Sequence, residues 1–182
     1  MASFGKEYLN TVIPRFKYYK DLGDKTFEQL NDWDFHYQPN EESNSIAIII
    51  RHMAGNMLSR WTNFLTEDGE KEWRQRDDEF MIHSHTKKEL IELWEKGWGC
   101  LFDALGSLKK KDLKKTVTIR QEPLSVVDAI NRQLAHYPYH VGQIVHIAKI
   151  IKGKNWQNLS IPKGESAAYN ASSEVKDPAK KF

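Results

Sequence analysis

The stretch Arg132-Gln-Leu-Ala-His136-Tyr-Pro-Tyr-His140-Val-Gly-Gln-Ile-Val-His146 decides how this chain is read. It lies inside a long run, Val126 to Lys152, whose residues Val127, Ile130, Leu134, Val141, Val145 and Ala148 recur at helical spacing. His136 and His140 are four residues apart, so on a helix their imidazoles stack on one face, one turn apart. Two imidazoles so placed can share a metal ion. They stand on the shoulder of the apolar stripe with Ala129, Arg132, Gln143 and Ile147, whereas His146 points away on helical phase. Pro138 lies between them. It removes the backbone bond to Leu134 and crowds that carbonyl, so the helix is expected to bend or open there.

Working outward, three more long helices are expected. Phe4 to Leu30 carries Leu9, Val12, Ile13, Phe16 and Tyr19 at three- and four-residue steps, and Pro14 should bend rather than end it. A second helix starts at the capping residues Ser43-Asn-Ser45 and runs to about Thr66. Its apolar stripe includes Ile46, Ile50, Met53, Met57 and Trp61, while His52 falls on a separate polar seam with Asn56, Ser59 and Asn63. A third, Lys87 to Leu108, opens with Thr86 and Glu89 in capping-box spacing. Between helices, 31–44 reads as a loop with Trp33, Phe35 and Tyr37 packing down, 73–80 as a charged connector, and Thr116 to Arg120 as at most an extended segment. The expected fold is all-α. Residues 1–164 form one domain and 165–182 a polar, flexible tail.

Composition sets limits on function. With 27 basic against 25 acidic residues the chain has no nucleic-acid footprint, and the cluster Lys109-Lys-Lys111 reads as an exposed linker. The single cysteine, Cys100, forbids an intrachain disulfide and fits a reducing compartment. No secretory leader pattern and no membrane-length apolar run is present, so a cytoplasmic location is expected.

A lone histidine is ordinarily a hydrogen-bonded or solvent-facing side chain. The His136/His140 pair, with His52 on the polar seam of another helix, makes a three-imidazole set, and three neutral ligands leave a coordination position open, as catalytic sites do. His83 and His85 alternate in a loop and are weaker candidates. Rival chemistries lack their residues: Met53 and Tyr137 stand where a zinc-protease helix would carry its glutamate, and Cys100 has no neighbouring base in sequence.

Residues Ile50-Arg-His52-Met-Ala-Gly-Asn56, Trp61 and His136-Tyr-Pro-Tyr-His140-Val-Gly-Gln143 resemble the DinB-like (YfiT-like) superfamily of damage-inducible proteins. Ser59-Arg-Trp61, Asp68-Gly-Glu-Lys71, Arg76-Asp-Asp-Glu-Phe80 and Leu159-Ser-Ile-Pro-Lys163 look like an uncharacterised bacterial subfamily within it. The resemblance implies a four-helix bundle with a long crossover between its second and third helices. It also implies a divalent metal, zinc or nickel, on His52, His136 and His140, and a homodimer. Several members of the superfamily transfer a low-molecular-weight thiol such as bacillithiol onto an electrophile. On that basis Arg51, Asn56, Arg60 and Arg132 are expected to contact an anionic thiol. The alternative expectation is a non-catalytic binder of a metal or small ligand, acting in a stress response.

Overall fold

A computed structural model of the protein describes residues 4–182. In chain order its elements are α1 (Phe4–Glu28), the short α2 (Asp32–His36), α3 (Ile46–Trp61), α4 (Lys87–Ser107), the strands β1 (Thr116–Ile119) and β2 (Glu122–Ser125), α5 (Val126–Lys152) and α6 (Ser166–Ala171). The four long helices form the bundle: α3 lies along α4 and α1 along α5, with α1–α4 and α3–α5 contacts closing it. Residues 62–86 make the long crossover, which holds a single 3-10 turn, Asp78–Phe80. The fold is all-α apart from one antiparallel hairpin. No helix among the described residues is long and apolar enough to cross a membrane.

Local sequence sets the helix ends. The Ser45 and Ser125 hydroxyls accept the N–H groups of Ile48 and Asp128, and Thr86 and Glu89 exchange capping-box bonds. Gly153, at φ +51°, closes α5 in a conformation that side chains resist. α3 stops at Trp61 rather than near Thr66. There the Asn63 backbone turns left-handed (φ 50°) and its carbonyl takes the N–H groups of Thr66 and Glu67, forming a turn in place of another helical one.

Segment 31–44, expected as loop, contains α2, which Asn31 and Asp34 cap reciprocally. Of the three aromatics expected to pack down, Phe35 alone does: it is fully buried, whereas Trp33 is 86% and Tyr37 42% exposed. Pro138 does not break α5, which runs unbroken through it. The buried face of α5 is rotated slightly from the expected stripe. Ala129, Tyr137, Ile144 and Ile147 are buried, while Val127, Leu134 and Val145 are only partly so. In segment 165–182, read from sequence as a flexible tail, α6 is followed by a 3-10 turn at Pro178–Lys181 that packs on α1, with Ala179 buried and Asp177 paired to Arg15.

The core centres on Trp98. Its ring meets Phe16, Trp94 and Tyr137 edge-on with centroids 6.4, 5.4 and 5.8 Å away, so one side chain on α4 touches α1 and α5. Each such pair contributes about 0.5–1.5 kcal/mol beyond the area it buries. Helix α1 approaches α4 closely at Gly23, where a Cβ would stand 2.4 Å from the Trp94 ring. Gly23→Ala should therefore cost about 1–3 kcal/mol. Gly99→Ala should stabilise by up to about 1 kcal/mol, because nothing lies within 4 Å of its Cβ position and alanine is the better helix former. Urea denaturation of both variants measures the opposite signs.

Candidate metal centre

The polar seam of α3 faces the shoulder of α5. His140 Nε2 lies 3.0 Å from His136 Nε2, which is 3.4 Å from His52 Nε2. One ligand atom from each of the three falls within 4.8 Å of the others. Each imidazole is held through its other nitrogen: Nδ1 of His52 bonds Glu79 Oε2 at 3.0 Å, that of His136 bonds Gln133 Oε1 at 3.2 Å, and that of His140 bonds Gln143 Oε1 at 2.8 Å. All three partners are acceptors. Each Nδ1 therefore donates to its partner, which leaves Nε2 as the ligating atom of each ring. Lone pairs repel at that distance unless a cation lies between them. A zinc–nitrogen bond of about 2.0–2.1 Å spaces tetrahedral ligands about 3.3–3.4 Å apart and octahedral neighbours about 2.9 Å apart, which brackets the 3.0 and 3.4 Å separations on either side of His136 Nε2. The donor set and its spacing fit a divalent metal.

Glu79, on the crossover, fixes His52. Arg74 grips its carboxylate in two bonds, Nε to Oε1 at 2.7 Å and a terminal nitrogen to Oε2 at 2.8 Å. All three side chains are buried. Burial alone would raise the Glu79 carboxyl, but the bonds from Arg74 and His52 outweigh it and hold the group below its usual range. Gly55 makes the approach feasible: a Cβ there would stand 2.1 Å from Glu79 Oε1. Phe80 covers the His52 ring at 4.8 Å. On α5, the fully buried Tyr137 receives the Trp61 indole N–H and donates to Asn56 Oδ1, both at 3.0 Å, which locks α5 against α3 beside the histidines.

The family described as "Protein of unknown function (DUF1572)" matches residues 3–165. The chain belongs to this family. No curated protein and no solved structure matches it. The DUF1572 match takes in every residue of the histidine cluster and ends where the tail begins.

Of the other residues singled out from sequence, Asn56, Arg60 and Arg132 line a pocket of about 260 Å³ that His52 and His136 also border. Arg51 does not. It ties α3 to the crossover through the Asp78 carboxylate at 2.8 Å and the Met81 carbonyl. His83 pairs with Asp78 Oδ1 at 3.1 Å, and neither it nor His85 belongs to the three-histidine cluster. His146 is exposed and stands apart from it. Sequence reasoning missed Glu79 and Arg74. The one available signal was their five-residue spacing inside the charged connector.

Exchanging Glu79 for glutamine keeps its shape and removes its charge. Partners of this kind tune affinity by about 10–100-fold, so Glu79→Gln should weaken zinc binding by that factor in competition with a chromophoric chelator.

Burial first, then the neighbouring His140 and His52, pushes His136 from 6.5 down to about 3. Burial likewise lowers His140. An unfolded chain takes up these protons near pH 6.5 while the metal-free folded one resists them, so the stability involved is present above that pH and drains away as pH falls toward 3. Glu79 contributes in the same sense, but only below the ordinary carboxylate range. The urea midpoint of metal-free protein should therefore already fall between pH 6.5 and 5, and His136→Gln should flatten that part of the curve.

Proposed function

We propose that this chain is a divalent-metal-dependent transferase of the DinB-like superfamily, moving a low-molecular-weight thiol of the bacillithiol type onto an electrophile. The observation that carries the reading is the convergence of three Nε2 atoms whose Nδ1 partners fix them in the ligating tautomer. His52, His136 and His140 would hold zinc or nickel, both of which suit imidazole. Such an ion would supply Lewis acidity, which lowers the pKa of a thiol toward neutrality.

The chain's own side chains do the rest. The Glu79–Arg74 pair keeps His52 oriented, Gln133 and Gln143 keep the other two rings oriented, and Phe80 shields one side from water. The adjoining pocket receives the reacting molecule beside His52 and His136. In the transfer the thiol gives its proton to solvent water, the sulfur forms the new bond with its electron pair, and the leaving group departs as an anion with the pair of the broken bond. The resemblance to the superfamily also implies a homodimer. A second reading, a metal or small-ligand binder without turnover, draws on the same histidine geometry.

Two measurements separate these readings. Purified protein should carry about one equivalent of divalent metal, and His140→Ala should lose it while staying folded; undiminished metal in that variant would sink the metal assignment. Metal-loaded protein incubated with bacillithiol and a panel of alkyl and aryl halides should form conjugate above the uncatalysed rate. Conjugate at background with every thiol and halide tried would leave the binding reading standing.

A further inference from the structure

The pocket beside the histidines is lined by five arginines: Arg60 on α3, Arg74 and Arg76 on the crossover, Arg120 on the hairpin and Arg132 on α5. They come from four separate parts of the chain and converge on one space. The acids among them are fewer. Glu70 meets Arg60 at 2.9 Å, Arg120 at 3.3 Å and Arg74 at 3.5 Å, and Glu79 is gripped by Arg74. The fully exposed Asp77 lies 3.8 Å from Arg76. Arg132 makes no ion pair among the described residues, and the buried Arg60 Nε has no acceptor there. A buried donor without an acceptor is costly unless something else accepts.

The hairpin tip is a second, independent sign. Arg120 and Gln121 both take left-handed backbone angles, φ 57° and 66°, although neither is glycine. Two such residues in succession carry local strain, which persists where surrounding structure imposes it. Asp68 imposes it here: its carboxylate accepts the N–H of Arg120 at 2.9 Å and of Gln121 at 2.8 Å. The turn is thus held in a strained shape that brings the Arg120 side chain to the pocket rim.

We propose that this pocket is an anion subsite, which takes a group carrying two or more negative charges, a phosphate or a pair of carboxylates, on the molecule whose reacting end lies at the histidines. Guanidinium forks match both groups in geometry. Walls of one sign with buried members concentrate such an anion. At about 260 Å³ the pocket admits the charged end of a ligand rather than a whole drug-sized one. The inference rests on the metal-centred reading only for what the anion is attached to; the subsite itself is independent of the metal.

The test uses chelator-treated, metal-free full-length protein, so that the subsite and the metal centre can fail separately. Inorganic phosphate and succinate are titrated calorimetrically at low and at physiological salt. At least one should bind saturably at one site per chain, more weakly at the higher salt; phosphate alone or succinate alone tells the two sources apart. The double variant Arg76→Ala/Arg132→Ala, which leaves the buried Arg60 and Arg74 pairs intact, should bind at least tenfold more weakly with an unchanged urea midpoint. Lys109→Ala/Lys111→Ala removes the same charge from a distant surface and should bind as wild type. Saturable binding of neither anion, an undiminished affinity in the arginine variant, or an equal loss in the lysine variant overturns the proposal.

Discussion

The buried carboxylate of Glu79 is the constraint on which the rest of the site depends. It is bracketed by a guanidinium from its own crossover and an imidazole from α3. A charge removed from water this far is tolerated only when its partners are in place, and here they also perform three structural tasks. They dock residues 62–86 on the bundle, set the tautomer of His52, and bring Arg74 to the wall of the pocket. The absence of a side chain at Gly55 is what lets the carboxylate reach that depth.

Helix α5 serves the core and the site at once. Tyr137 turns into the core against Trp98 and Phe16 and joins the Trp61–Asn56 hydrogen-bond chain, while the histidines on either side of it turn toward α3. Core packing therefore sets the height and rotation at which the imidazoles meet His52. Pro138 falls within this stretch without parting them, since the His136 and His140 nitrogens stand 3.0 Å apart. The side chains of Gln133 and Gln143, one turn before and one turn after, hold the two rings from outside.

Much of this was legible in the residues, and the parts that were not share a physical reason. The four long helices follow from apolar periodicity and from capping by Ser45, Thr86 and Ser125, all of which are local signals. The convergence of His52 with His136 and His140 was also readable, because helical phase alone sets each on a face. Glu79 and Arg74 looked like solvated charge, since their burial depends on where a crossover of 25 residues (62–86) folds back. Thr116 to Ile119 was legible as extended, but its pairing with Glu122 to Ser125 was not, for a related cause. Arg120-Gln121 is not a turn dipeptide by its own preference, and the carboxylate that forces it is 52 residues away at Asp68. The small rotation of the α5 stripe came from Tyr137, a large aromatic that took the innermost position.

That distant carboxylate has a further consequence. Burial would raise Asp68, but N–H groups of Glu70, Gln121 and Arg120 and the Thr118 side chain all favour its charged form and hold it far below the usual carboxylate range. The hairpin is thus fastened by a carboxylate whose partners favour its charged form. Arg120 is thereby anchored at the pocket rim twice, by its backbone N–H on Asp68 and by its guanidinium on Glu70. The pocket and the histidines are coupled all the same, since Arg60 and Arg74 add to the burial and the neighbouring imidazoles that lower His136.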